Sequence, residues 1–248
     1  MRATQGQRRA AGFTLIELVV VLMILAALAG LLVPNLNGFV ERSHAATSAT
    51  DIGEVTKNLE LYRVKYLDKG YPSNLDSLVA SDDSEYQGMN PALAAVLTPT
   101  AIVANQALSL TDAGIVEVAR HLVGPVPAGT SATDGVTVLP LAVATGVNLQ
   151  FLDDAVASIE LGATTQDLAK YRYVAFGVGH NNAAVGKTML EAPIHFDTNP
   201  ELFYSRYIVV FGVPRTPAVP GFKAELKGVI GSDAEGLNAH IQEYHKAP

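Results

Sequence analysis

RRAAGFTLIELVVVLMILAALAGLLVP, residues 8–34, decides how the rest of this chain is read. Arg8 and Arg9, with Arg2 before them, precede an unbroken apolar run from Phe13 to Val33 whose single charge is Glu17. As a helix the run is about 31 Å long, enough to cross a hydrocarbon core of about 30 Å. The flanking arginines predict a cytoplasmic N-terminus and a C-terminal body on the other side of the membrane. A secretory signal peptide has a shorter apolar region that ends in a small-x-small cleavage site. Here the apolar run continues past Ala27-Leu28-Ala29 to Val33, so no such site ends it. A plain membrane anchor leaves Glu17 unexplained, because a carboxylate at membrane depth costs about 2.5–3.5 kcal/mol and so needs a partner or a task.

Composition narrows the function. The chain has 248 residues and a formal net charge of −7, with Arg2, Arg8 and Arg9 the only charges of its first twelve residues. That leaves 14 of the 17 Lys+Arg against all 24 Asp+Glu, a body that repels nucleic acid and anionic lipid. With no cysteine, disulfides, thiolate metal sites and thiol catalysis are excluded.

The basic leader, the glycine at 12 and the Phe-Thr-Leu-Ile-Glu that opens the apolar helix resemble the N-terminus of type IV prepilins and type II secretion pseudopilins. The resemblance covers Arg8 to about Tyr71. It implies that a prepilin peptidase cuts between Gly12 and Phe13, with N-methylation of the new Phe13 amine. It also implies that Glu17 pairs with that amine on a neighbouring subunit during assembly. The pairing is physically reasonable, since opposite charges attract far more strongly in low dielectric than in water. The implied partners are copies of the chain itself, in a homopolymer or mixed filament, the peptidase, an inner-membrane assembly platform and a cytoplasmic ATPase. The implied location is a single inner-membrane span followed by a periplasmic or cell-surface filament. No nucleic acid and no catalytic role are expected.

Pro34 lacks the N–H that would bond the carbonyl of Gly30, so a kink at Gly30 and Pro34 is one expectation. The other is that Pro34 marks the membrane exit. Beyond it, Leu36, Phe39, Val40, Ser43, Ala46, Thr47 and Thr50 keep a helical period, and Val55, Leu59, Tyr62 and Tyr66 continue it. This predicts one helix over 13–67, transmembrane over 13–33. A head of 68–248 follows, with 88–165 exceeding a minimal pilin body as an insertion.

Within the head, GYPSNLDSLVA (70–80) predicts a turn and a short helix with Leu75 and Leu78, and it resembles the segment after the long helix of pseudopilins. NPALAAVL and LTDAGIVEVARHLVG predict helices. GVTVLPLAVATG, YRYVAFGVG, EAPIHFD, FYSRYIVVFGV and GFKAELKGVIG predict strands. Ser232 and Glu235 suggest a capping box before a C-terminal helix ending near His245. Strands gathered late, after a long helix, give an α+β fold with an antiparallel sheet, as in pilins.

Few constellations point to chemistry. GVGHNNAAVGKT (177–188) ends like a phosphate-binding loop, but Asn181 stands where GxxxxGK[ST] needs glycine. The six histidines, at 44, 121, 180, 195, 240 and 245, contain no i, i+4 pair and are read as surface or loop residues. Asp197, Asn199 and Glu201 offer oxygen ligands for calcium, on the resemblance to pseudopilins that bind calcium in a C-terminal loop, while a solvated loop is the competing reading. The expected function is a structural filament subunit of a pilus or a secretion pseudopilus. The alternative is a minor or tip pilin, or a membrane-tethered adhesion domain exported by the same route.

Overall fold

The computed structural model describes residues 14–66, 70–133, 139–196, 199–215 and 221–246, the side chains of 31–37 excepted. Helix α1 runs from Leu15 to Lys65 without interruption, 51 residues, or about 77 Å at 1.5 Å per residue. It closes two residues before the expected end at 67, with Tyr66 as its C-cap.

The two halves of α1 differ in what they meet. From Thr14 to Gly30 every residue is exposed, Leu15 at 82% and Met23 at 67%. From Ala45 the helix lays Ala45, Ser48, Ile52, Val55, Leu59 and Tyr62 on the head, all buried. The apolar stripe expected over 36–50 is therefore displaced. Phe39 and Val40 are exposed, and the Thr47 and Thr50 hydroxyls donate back to the carbonyls of Ser43 and Ala46. The head first touches α1 near Ala45, so it is the head that selects the buried face there.

The remaining elements are β1 (Leu75–Ala80), α2 (Pro91–Ala94), β2 (Leu97–Ala101), α3 (Ala104–Asp112), β3 (Glu117–His121), β4 (Leu139–Ala142), β5 (Asn148–Leu152), α4 (Asp154–Glu160), α5 (Thr165–Lys170), β6 (Tyr171–Gly177), β7 (Ile208–Pro214), β8 (Glu225–Ile230) and α6 (Leu237–His245). The eight strands found among the described residues form one sheet. Strand β7 pairs with the full length of β6 on one side and with β8 on the other. The other edge of β6 is shared between β5, which leads on to β2, and β1, which leads on to β3 and β4. All pairs are antiparallel except β1 with β3, which run parallel, so the sheet is mixed rather than wholly antiparallel. The segment 88–165 thus contributes β2, β3, β4 and β5 to the same sheet as the C-terminal strands.

Both faces of the central strands are covered, which is why YRYVAFG and IVVFGVP are buried almost throughout. Val174, Phe176, Val209, Phe211 and Val213 face the core shared with Ile52, Val55 and Leu59 of α1. Tyr173, Ala175, Ile208 and Val210 face a second core with Leu78, Tyr86, Leu93 and Ile230. The alternation is the period of two that a pleated strand imposes.

Several local expectations are corrected. Residues 75–80 form a strand, not a helix, with Leu75 in the first core and Leu78 in the second. A Leu-x-x-Leu spacing satisfies a helix face, but it equally serves a strand buried on both sides. EVARH (117–121) is also a strand, held between β1 and β4. Among the described residues, EAPIHFD forms only the single bridge Ile194 to Arg206. Helix α6 starts after Gly236, whose N–H donates to Glu160 Oε2 at 2.7 Å, and Ser232 is not its cap.

Candidate functional site

Thr14 and Glu17 open α1 with a reciprocal capping box, in the T-x-x-E pattern that favours a helix start. The Thr14 N–H and hydroxyl donate to Glu17 Oε2 at 2.8 and 2.9 Å, and the Glu17 N–H donates to Thr14 Oγ1 at 3.4 Å. Glu17 therefore has an intrachain partner that was not recognised in the sequence, although the signature was present. Its Oε1 takes no part in the box. Gly12 and Phe13 lie outside the described residues, as do Arg2, Arg8 and Arg9. Helix α1 continues through Gly30, where an added Cβ would meet nothing within 4 Å, and through position 34, whose side chain is outside the description.

Beyond Glu17, the described residues up to Gly30 present aliphatic side chains around the whole circumference of the helix, with nothing from the head over them. A helix that is apolar on every side is normally buried in something. Among the described residues no helix is long and apolar enough to cross a membrane; the expected span 13–33 begins before them and ends among positions whose side chains are not described.

The loop that resembles a phosphate-binding motif serves the fold. A Cβ on Gly177 would collide with the Tyr204 ring and hydroxyl, and one on Gly179 with the Asp76 carboxylate. Lys187 stands over the rings of Tyr62 and Tyr66 at 5.5 and 5.6 Å from their centroids. Of the calcium candidates, Asp197 lies outside the described residues. Asn199 Oδ1 accepts the Glu201 N–H at 3.0 Å, and Glu201 is exposed.

Three of the six histidines are buried, His121, His195 and His240, and of these only His195 lies in a loop, so the surface-or-loop expectation fails for His121 and His240. His121 stacks on Tyr86 with ring centroids 4.0 Å apart, and burial pushes its pKa down to about 4. His195 and His240 meet Asp233 beside α1, and these three residues could hold a metal ion. Nothing in the spacing 195, 233, 240 announces that meeting. Only the packing of α6 against the loop before Phe196 produces it.

Residues 7–33 match the family described as the prokaryotic N-terminal methylation motif. Over 82 residues the chain is 40% identical to the type II secretion system core protein G of Escherichia coli, covering 32% of this chain and 53% of that one. With the protein of the same description from Aeromonas hydrophila it shares 40% over 76 residues, 29% of this chain and 52% of that one. It is also 36% identical over 73 residues to the type IV wide pilus major component of Thermus thermophilus, covering 29% of this chain and 54% of that one. The chain spans about half the length of the curated relatives it matches. No solved structure matches it. The chain is thus an α+β protein with a long N-terminal helix on a mixed sheet, with the methylation motif at the start of that helix.

Proposed function

We propose that this chain is the precursor of a filament subunit of the type IV pilus or type II secretion pseudopilus kind, with a structural rather than catalytic role. The observation that carries this reading is the first half of α1, apolar on all sides and left uncovered by the head from Leu15 to Leu28. Such a surface needs lipid before assembly and the same helix of other copies after it. A prepilin peptidase removes residues 1–12, and the Phe13 amine is methylated. The head is held on the outer side of the inner membrane until a platform protein and a cytoplasmic ATPase drive extraction into the filament.

Glu17 is the register mark in this account. A carboxylate and an ammonium 4 Å apart attract by about 1 kcal/mol in water but about 4 kcal/mol at an effective dielectric of 20. The Phe13 amine of an adjoining copy reaches Glu17 through Oε1, which the capping box leaves out. A tip or minor subunit is the second reading, favoured by the matched relatives covering only about a third of this chain. Copy number in isolated filaments separates the two readings.

Intact mass and N-terminal sequencing of the native protein test the processing step. An N-methylated Phe13 start is expected. A mature chain that keeps its first twelve residues overturns the reading.

A further inference from the structure

Three segments distant in sequence bring nitrogen and oxygen donors together at the base of the head. His195 lies in the loop before Phe196, Asp233 in the turn after β8, and His240 on α6. His195 and His240 are 1% and 2% exposed. Asp233 Oδ2 stands 3.6 Å from His195 Nε2 and 3.8 Å from His240 Nε2. These separations are too long for good hydrogen bonds. They are close to the edge of a zinc tetrahedron, about 3.3 Å when ligand bonds are about 2.0–2.1 Å.

We propose that His195 Nε2, Asp233 Oδ2 and His240 Nε2 form a binding site for a divalent transition-metal ion of the zinc type, with a fourth position open to water or a neighbouring carboxylate. Independent features favour an ion over a chance meeting of side chains. His240 Nε2 is buried with no hydrogen-bond partner among the described residues, an arrangement that is costly unless something ligates the nitrogen. The supporting contacts of a metal site are also in place. Asp233 Oδ1 accepts the Glu235 N–H at 2.9 Å, which fixes the carboxylate and leaves Oδ2 toward the two rings. His195 Nδ1 lies 3.1 Å from the fully buried Ser232 Oγ, and donation to that hydroxyl puts the ring lone pair on Nε2.

A cavity of about 240 Å³ opens beside the three ligands, between them and His44 and Ser48 of α1, with Glu41 and Glu243 also on its wall. It gives an ion a way in and room for the fourth ligand. The acids around it suit a centre that one carboxylate leaves with net positive charge. Two imidazoles with one carboxylate select zinc-like ions, since calcium and magnesium take oxygen ligands. A bound ion ties the 195 loop, the turn after β8 and α6 into one cluster against α1 at the place where the helix leaves the head.

The test uses the full chain in detergent, without a polyhistidine tag, stripped with chelator and titrated with Co2+ and then Zn2+. One Co2+ per chain is expected, with the intense visible bands of a four-coordinate site, bleached by one equivalent of Zn2+. Zn2+ is also expected to raise Tm, and Ca2+ is not. Asp233→Asn keeps the side-chain volume and the Glu235 contact, and should weaken Co2+ and Zn2+ binding by at least about tenfold. His240→Gln should do the same. Circular dichroism of both variants should match the parent. Unchanged affinity in both folded variants, or only the weak spectrum of six-coordinate Co2+, overturns the site and leaves protons as what the cluster shares. A rise in Tm with Ca2+ equal to that with Zn2+ also overturns it.

Discussion

Tyr204 donates its hydroxyl proton to Asp76 Oδ2 at 2.6 Å, across 128 residues of sequence and inside the protein, where Tyr204 is fully buried and Asp76 nearly so. The bond ties the start of β1 to the segment that leads into β7, at the point where β1 and β6 meet through Asp76 and Gly177. Tyr204→Phe removes the donor and keeps the ring. A hydrogen bond to a charged group contributes about 1.5–3 kcal/mol, so urea unfolding should show a loss of that order. A change below about 0.5 kcal/mol would mean that the contact carries no stability.

The same pair explains two glycines. Gly177 and Gly179 lie against Tyr204 and Asp76 with no room for a methyl group. Gly177→Ala should lower stability by about 1–3 kcal/mol through overpacking, although alanine is the better strand residue of the two. Gly186→Ala, in the same loop, meets nothing within 4 Å but has a positive φ of 75°. It should cost only about 1 kcal/mol, from backbone strain alone. A loss at Gly177 below about 1 kcal/mol would remove the steric account of that glycine.

His121 predicts a pH dependence. Its pKa is about 4 in the folded chain against 6.5 as the ordinary value, because burial penalises the imidazolium. The unfolded chain therefore binds a proton that the folded chain does not between pH 6.5 and 4. Stability falls as pH drops through that window, by about 3 kcal/mol in all, and this contribution is flat above it. Both ring nitrogens are buried without hydrogen-bond partners among the described residues. His121→Phe should therefore keep the stack on Tyr86, match or exceed the parent at pH 7, and lose this part of the acid sensitivity. Tm measured from pH 4 to 7 reads the difference, and identical profiles for parent and variant would refute it.

Glu17 has two roles that one substitution separates. Glutamine also completes a capping box at N3, so Glu17→Gln keeps the helix start while removing the charge. Glu17→Ala removes both. On the charge-pairing account both variants insert, are processed and fail to polymerise. If Glu17→Gln assembles at the parental level and Glu17→Ala does not, the cap is what assembly needs. Pelleting of sheared filaments, scored against the processed monomer in membranes, gives the answer. The head should be unaffected, because Glu17 is exposed and remote from it.

What could be read from residue order was what depends on neighbours along the chain. The circumferential apolar run after Glu17, the helical period carried on to Tyr66 and the Val- and aromatic-rich strands at 171–177 and 208–214 are local patterns of period and composition. They sufficed for an α+β chain with an uncovered N-terminal helix. Leu75 and Leu78 went to a strand because β3 and β6 offered hydrogen bonds on both sides, and no local pattern encodes who pairs with whom. Packing alone decided that His195, Asp233 and His240 converge, that His121 is buried, and that Gly177 and Gly179 make room for a tyrosine and an aspartate rather than for a phosphate. Such meetings depend on where a sheet and a helix place atoms tens of residues apart, and a burial or close approach of that kind leaves no trace in the spacing of the residues that share it.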